Sequence, residues 1–114
     1  MTAADTIRIE ARHTDGRTEV RLLVRHPMDT GRERDPDTGT LIPAHYIVEL
    51  VVEHIGADGT LRTLLHADFG PGVARHPFQH FAFRGGAPGD RVRVRWQDML
   101  GDEAAAETRI VAGA

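Results

Sequence analysis

The chain contains no cysteine and no serine among its 114 residues. Without cysteine it can form no disulfide, no thiolate-ligated metal site and no covalent thiol carrier of its own. Without serine it has no Gly-x-Ser-x-Gly elbow, so the usual nucleophiles reduce to threonine. Any thiol chemistry that this protein serves must therefore take place on another chain.

Lysine is also absent, since all 14 basic residues are arginine, and 17 acidic residues bring the net charge to -3. This balance argues against a nucleic-acid or anionic-membrane partner. No window is apolar enough to span a membrane. The first six residues are polar, without a basic region followed by an apolar run, so we expect no signal peptide. Taken alone, these features indicate a cytoplasmic protein.

Apolar and polar residues alternate along most of the chain, which is the pattern of half-buried strands. The length is typical of one domain, and we treat residues 1–114 as a single domain. A short alanine-rich stretch at 103–107 has helical propensity but is too short to stand alone. The pattern predicts an all-β fold, an immunoglobulin-like antiparallel β-sandwich of about seven strands. The predicted strands cover residues 7–12, 18–25, 45–55, 61–67, 78–84, 91–96 and 105–111.

The third predicted strand is apolar on one side and mixed on the other, which indicates a core face and a second face that something else partly covers. Trp96 is expected to be a core anchor. Leu23, an apolar residue between two arginines, is either an ordinary exposed leucine or part of a contact surface. The expected core face is Tyr46, Val48, Leu50 and Val52, and the mixed face is Ile47, Glu49, Val51 and Glu53.

Seven histidines invite a metal-site interpretation, because imidazole is a common ligand for zinc, copper and iron. No two of them stand at positions i and i+2, so no spacing places two imidazoles on one strand face. Acidic residues are scattered over exposed strand faces, and the glycine-rich stretch 85–89 lies between two strands, where it predicts a turn. We therefore expect no metal and no cofactor. A His-ligated metal-dependent enzyme and a generic protein-binding module remain as alternatives.

The segment 26–43 breaks the strand pattern with prolines, glycines and charges, and loops of this length are usually functional or mobile. A characteristic residue order begins here and continues downstream: HPMDTGR at 26–32, LIPAHYI at 41–47, FGP at 69–71, HPF at 76–78, FAF at 81–83, GD at 89–90, and Trp96, Asp98 and Gly101. In this order the residues resemble the SoxZ family, the small non-catalytic half of the SoxYZ carrier of bacterial thiosulfate oxidation. Two positions depart from the usual pattern of that family, His76 and Met99, both in predicted turns.

The resemblance implies a non-enzymatic subunit that pairs with SoxY in a heterodimer or higher oligomer. SoxY bears the substrate on a cysteine of its C-terminal arm, and the pair meets other Sox enzymes transiently. It also implies periplasmic residence, because SoxZ proteins are exported with their partner. His26 is expected either to contact that arm or to cap the loop. The predicted partner-binding residues are His26, Pro27, Met28, Thr30, Gly31, Arg32, Ile42, Pro43 and Tyr46.

Overall fold

The computed structural model describes residues 6–113, which form two four-stranded sheets packed face to face. The strands are β1 (Ile7–Thr14), β2 (Arg17–Val24), β3 (Ile47–Ile55), β4 (Leu61–Asp68), β5 (Phe78–Arg84), β6 (Arg91–Asp98), β7 (Glu103–Arg109) and β8 (Val111–Ala112). The first sheet has the order β5-β2-β1-β8, and the second has the order β4-β3-β6-β7. This arrangement confirms the predicted immunoglobulin-like sandwich. The first five residues, on which the signal-peptide expectation mainly rests, lie outside the described range.

The core lies between the sheets and is built by strict alternation along β2 and β6. Val20, Leu22 and Val24 of β2 are buried against Val92 and Val94 of β6 and their neighbours. Burial of this apolar surface is the main force that holds the sheets together. Residues 6–113 contain no α-helix, and therefore no helix long and apolar enough to cross a membrane.

The third strand differs from its prediction because a β-bulge interrupts it. Across from β6, Ile47 faces Asp98 while Glu49 faces Gln97, so the side-chain alternation shifts at Val48. Ile47 is therefore fully buried and Val48 is only partly buried, which makes the predicted core position of Val48 wrong. Strand β3 also begins at Ile47 rather than at position 45.

The second face of β3 is partly covered, as predicted, and the cover comes from arginines of the neighbouring strand. Val51 and Glu53 are both buried on this outer face. The Glu53 carboxylate accepts hydrogen bonds from Arg93 Nη2 at 2.8 Å and Arg93 Nε at 3.1 Å. Those bonds lower the pKa of Glu53 against the opposing effect of burial. The chain itself therefore supplies part of the cover of this face.

The last predicted strand, 105–111, is wrong in its extent. It is divided at Ile110, whose buried side chain belongs to the core cluster as the chain crosses from one sheet to the other. Strand β7 lies in the second sheet, whereas β8 pairs in parallel with β1 of the first. The count rises from about seven strands to eight. Trp96 is buried in the core as expected.

The antiparallel topology brings three connections to one end of the sandwich. They are residues 25–46 between β2 and β3, residues 69–77 between β4 and β5, and residues 99–102 between β6 and β7. We call residues 26–46 the arm and this end the arm end. The opposite end, which we call the turn end, carries the short connections around residues 15–16, 56–60 and 85–90.

Candidate functional site at the arm end

The arm is an ordered ribbon with backbone pairing of its own. At its base Asp29 N–H donates to His45 O at 2.7 Å, and His45 N–H donates to Asp29 O at 2.9 Å. A second isolated bridge joins Arg34 to Leu41 further out. At the tip the Asp35 carboxylate accepts the N–H of Asp37 at 2.8 Å. These bonds explain how a segment without strand periodicity keeps one conformation.

Met28 and Gly31 fix the base of the arm to the sandwich. Met28 has a positive φ of 51° and a buried side chain in the core cluster, and its sulfur lies 3.4 Å from the Ile47 nitrogen. Gly31 has φ +82°, and a Cβ at this position would lie 3.0 Å from the Ala44 Cβ. Only glycine meets both conditions without strain. The two strands of the arm therefore approach each other closely at their root.

Two histidines of the arm share one carboxylate oxygen of Asp98, at the end of β6. His26 Nε2 lies 3.1 Å from Asp98 Oδ2, and His45 Nε2 lies 2.8 Å from the same oxygen. The side chains of His26 and Asp98 are 3% and 1% exposed, and that of His45 is 30% exposed. The ring of His26 also contacts the rings of His45 and Trp96 edge to face. We call this group the His26–Asp98–His45 cluster.

The charge of Asp98 is well compensated despite its burial. Its second oxygen, Oδ1, accepts the backbone N–H groups of Leu100 and Asp102, each at 3.0 Å. Burial raises the pKa of Asp98, but the hydrogen bonds from His26, from His45 and from that turn outweigh it and hold the pKa below its ordinary value of 3.8. Asp98 is therefore an ionised acceptor that joins the arm to the 99–102 turn.

The cluster has the composition of a metal site, because its three ligand atoms all lie within 4.8 Å of one another. However, Met28 N–H donates to His26 Nδ1 at 3.1 Å, so the neutral His26 ring carries its proton on Nε2. That nitrogen then donates to Asp98 and has no lone pair for an ion. A second group, Glu49, His66 and Asp68, lies on the exposed outer face of the second sheet. The first cluster is best suited to fastening the arm, and the His26 ring also satisfies the Met28 N–H of its own loop.

His76, one of the two departures from the family pattern, is joined to His26 by two hydrogen bonds. His26 N–H donates to His76 Nδ1 at 3.2 Å, and His76 N–H donates to His26 O at 3.0 Å. His76 adopts a positive φ of 54°. Met99, the other departure, donates its N–H to Tyr46 O at 3.0 Å. Both residues therefore connect neighbouring loops to the arm.

The predicted partner-binding residues all lie in the half of the arm nearer the sandwich, but their side chains differ in exposure to solvent. The side chains of His26 and Met28 are covered by this chain, while Arg32 and Pro43 are exposed. The remaining five are partly buried: Pro27, Thr30, Gly31, Ile42 and Tyr46. Sequence reasoning did not connect His26 with His45 or Asp98. The two bonds to Asp98 span 72 and 53 positions, and no local spacing signals such contacts.

Exposed apolar side chains concentrate at the arm end. Of the six large hydrophobic residues that are exposed within residues 6–113, four lie there: Leu41, Phe78, Met99 and Leu100. Leu61 and Val111 lie toward the turn end. Leu23 is partly buried on the outer face of β2, where it stands beside Phe78 across the strand pair and lines the same shallow groove. Exposed apolar surface of this kind is typical of protein-binding sites.

Known structures share this architecture at low sequence identity. A superoxide reductase (neelaredoxin) from Ignicoccus hospitalis aligns with 95% of this chain and 80% of its own, at a TM-score of 0.62 and 18% identity. A superoxide reductase from Nanoarchaeum equitans aligns with 96% of this chain and 95% of its own, at a TM-score of 0.68 and 9% identity. The chain is thus a β-sandwich of the class that includes superoxide reductases, a likeness of fold alone.

A sequence-family model assigns the chain more narrowly. The model described as sulphur oxidation protein SoxZ matches residues 7–109. The chain belongs to the SoxZ family of sulphur oxidation proteins, which confirms the resemblance noted from the arm. A search of curated proteins finds no match.

Proposed function

We propose that this chain is the non-catalytic subunit of a SoxYZ-type sulfur carrier. It binds a SoxY-like partner and orients the partner's cysteine-bearing C-terminal tail toward other Sox enzymes. The match to the SoxZ family over residues 7–109 carries the proposal. The composition agrees with it, because a chain without cysteine cannot hold a sulfur substrate covalently. In this proposal the protein works in the periplasm, which it reaches bound to its partner.

The arm end is the surface that we propose for the partner. It combines the hydrogen-bonded arm with most of the exposed large apolar side chains of the described chain. A preformed surface loses little conformational entropy on binding, and apolar side chains such as Leu100 supply the area that a stable interface must bury. A permanent heterodimer of this kind should bury more than about 1,200 Å² in total.

Co-expression tests the proposal. The chain is produced together with a SoxY-like protein whose gene neighbours its own and whose tail resembles Gly-Gly-Cys-Gly-Gly, and the mixture is analysed by size-exclusion chromatography with light scattering. We expect one peak that contains both chains in equal amounts. Two separate monomer peaks at micromolar concentration would contradict the proposal.

The second candidate is a His-ligated metal-dependent enzyme, and the His26–Asp98–His45 cluster is the observation that favours it. The Met28 N–H bond to His26 Nδ1 weighs against it, as argued above. Metal analysis of protein purified without a His-tag separates the two candidates. A stoichiometric metal that disappears in His45→Ala would favour the enzyme.

A further inference from the structure

The outer face of the first sheet carries an excess of positive charge. The outward-facing positions of β1, β2 and β5 include five arginines and only two acidic residues, Glu10 and Glu19. Their formal charge is therefore +3, although the whole chain has a net charge of -3. We call this surface the arginine face, and its arginines are Arg8, Arg12, Arg17, Arg21 and Arg84.

Most of these arginines have no charged partner within the described chain. Only Arg21 forms an ion pair, with its Nη2 3.3 Å from Glu19 Oε1, and His80 Nε2 lies 2.6 Å from the same oxygen. The guanidinium groups of the other four form no hydrogen bond or ion pair with any residue between 6 and 113. On the outer face of the second sheet, by contrast, the three arginines of β6 all bind glutamates. The arginine face therefore offers cations that are free to bind an external anion.

Two of the unpaired arginines stand directly opposite each other. Arg17 of β2 and Arg84 of β5 are cross-strand neighbours at the turn end of the face. Like charges at directly opposed positions of antiparallel strands destabilise a sheet. A carboxylate from outside the chain would remove this repulsion, and a guanidinium binds a carboxylate through two parallel hydrogen bonds. The pair therefore favours an acidic ligand.

The arm end of the same face carries an apolar patch. Leu23 lies beside Phe78 across the strand pair, and Phe78 is 58% exposed. Together with Arg8 these two residues line a shallow groove of about 600 Å³. An aromatic anchor among arginines is typical of protein–protein interfaces. A nucleic-acid surface would instead belong to a strongly basic domain, which this chain is not.

We propose that the arginine face is a second docking surface, which binds an acidic segment of another protein and takes one apolar side chain of that segment into the groove at Phe78. The four unpaired guanidinium groups attract the acidic segment before contact and speed its association. Salt weakens an attraction of this kind, so the surface suits a transient partner. The inference goes beyond the proposed function, because that function places a permanent partner at the arm end, whereas this face takes a different one.

The test uses a defined acidic peptide as the probe. The strand β1 crosses the face from Arg8 to Thr14, about 20 Å, which an extended octapeptide matches in length. An acetylated octapeptide of one phenylalanine followed by alternating aspartates and glutamates is titrated into the full chain at about 20 mM salt and followed by NMR. The amide signals of β1, β2 and β5 should shift to saturation, and those of β6 and β7 should stay in place. Raising the salt to about 200 mM should weaken binding at least about fivefold.

Arg17→Glu separates docking from folding. It places an opposite charge beside Arg84, so the melting temperature should stay the same or rise, while peptide binding should weaken about tenfold or more. Phe78→Ala should weaken binding about threefold or more, because it removes the aromatic side of the groove. Arg91→Glu makes the same charge change on the outer face of the second sheet, and as the matched control it should leave peptide binding unchanged.

Any of four results would overturn the inference: no saturable shift up to millimolar peptide, equal weakening by Arg17→Glu and Arg91→Glu, binding that does not respond to salt, or tighter binding of a double-stranded DNA oligonucleotide or of anionic lipid vesicles than of the peptide. The Arg17→Glu protein should still co-elute with the SoxY-like partner. Loss of that complex would also overturn the inference, because the arginine face would then belong to the permanent interface. A wild-type chain that forms no complex would contradict the proposed function alone, so the two failures are distinguishable.

Discussion

His26 Nε2 donates to Asp98 Oδ2 across 3.1 Å, and this bond joins the start of the arm to the end of β6 over 72 positions of sequence. The same oxygen accepts His45 from the other side of the arm. One ionised carboxylate thereby holds both roots of the arm against the sandwich. The arm can be presented to a partner as a preformed surface because its base is fixed in this way.

Replacing Asp98 by Asn should release this attachment. The substitution keeps the shape of the side chain but removes the charge that accepts both imidazole N–H groups. A hydrogen bond to a charged group contributes about 1.5–3 kcal/mol, so we expect the free energy of unfolding in urea to fall by about 2–3 kcal/mol. Asp102→Asn, at an exposed carboxylate 4.0 Å from His45, is the control and should change stability by less than about 0.5 kcal/mol. Equal effects of the two substitutions would show that the cluster does not hold the arm.

The stability that Asp98 supplies should depend on pH in the acid range. Its pKa in the folded state lies below the ordinary value of 3.8, so the folded protein binds this proton less readily than the unfolded chain. The stability that Asp98 supplies is therefore complete above its ordinary pKa of 3.8, and it is lost as the pH falls through the lower pKa of the folded protein. The difference in unfolding free energy between wild type and Asp98→Asn should shrink steadily between pH 5 and pH 2. A difference that stays constant over this range would contradict the assignment of Asp98 as an ionised acceptor.

Gly31 should tolerate no side chain, whereas Gly39 tolerates one at moderate cost. Both have positive φ, but a Cβ on Gly31 would press on Ala44 at 3.0 Å, and a Cβ on Gly39 meets nothing within 4 Å. Gly39→Ala carries only the backbone penalty of about 1–2 kcal/mol, and Gly31→Ala adds the steric one. Hydrogen exchange of the arm amides should accelerate more in Gly31→Ala. Equal acceleration in the two variants would mean that the arm is not closely packed at its root.

Met28→Ala should destabilise the fold although Met28 belongs to a loop. Its side chain is buried in the core cluster, and a buried methionine truncated to alanine costs about 2–5 kcal/mol. Met99→Ala removes an exposed methionine of the arm end and should leave thermal stability nearly unchanged. A small loss of stability in Met28→Ala would contradict the core role of Met28 and would leave its predicted contact with the partner as the better interpretation.

Much of the fold follows from local pattern in the sequence. The strict alternation at Val92, Val94 and Trp96 specifies a strand and its buried face with no further information. The bulge in β3 could not be predicted, because Ile47 and Val48 are equally apolar and the choice between them depends on the register with β6. The break at Ile110 has the same origin, since it depends on which sheet offers a free edge to β8.

Only part of the candidate site could be predicted from the sequence. The arm was recognised from the order of its residues, which is a signal of family and not of geometry. The cluster was missed because its bonds to Asp98 join residues 53 and 72 positions apart, and only the assembled sandwich places them together. In the sequence, His76 is marked only by its departure from the family pattern. Its hydrogen bond with His26 is apparent only in the folded chain.

The partner should distinguish the two ends of the sandwich. Leu100 and Leu61 have similar exposure, at 60% and 53%, but Leu100 lies at the arm end and Leu61 toward the turn end. Leu100→Asp should weaken binding of the SoxY-like subunit by about tenfold or more, since it buries a charge in an apolar interface. Leu61→Asp should leave the affinity unchanged in the same calorimetric titration. The reverse order would place the interface at the opposite end.

Hydrogen exchange on the complex with the SoxY-like subunit tests the central claim most directly. We expect complex formation to slow exchange in the arm and in residues 99–102, while the turn-end connections around residues 15–16 and 56–60 keep their rates. Protection confined to the turn end, or no change in any amide after the two chains are mixed at saturating concentration, would contradict it.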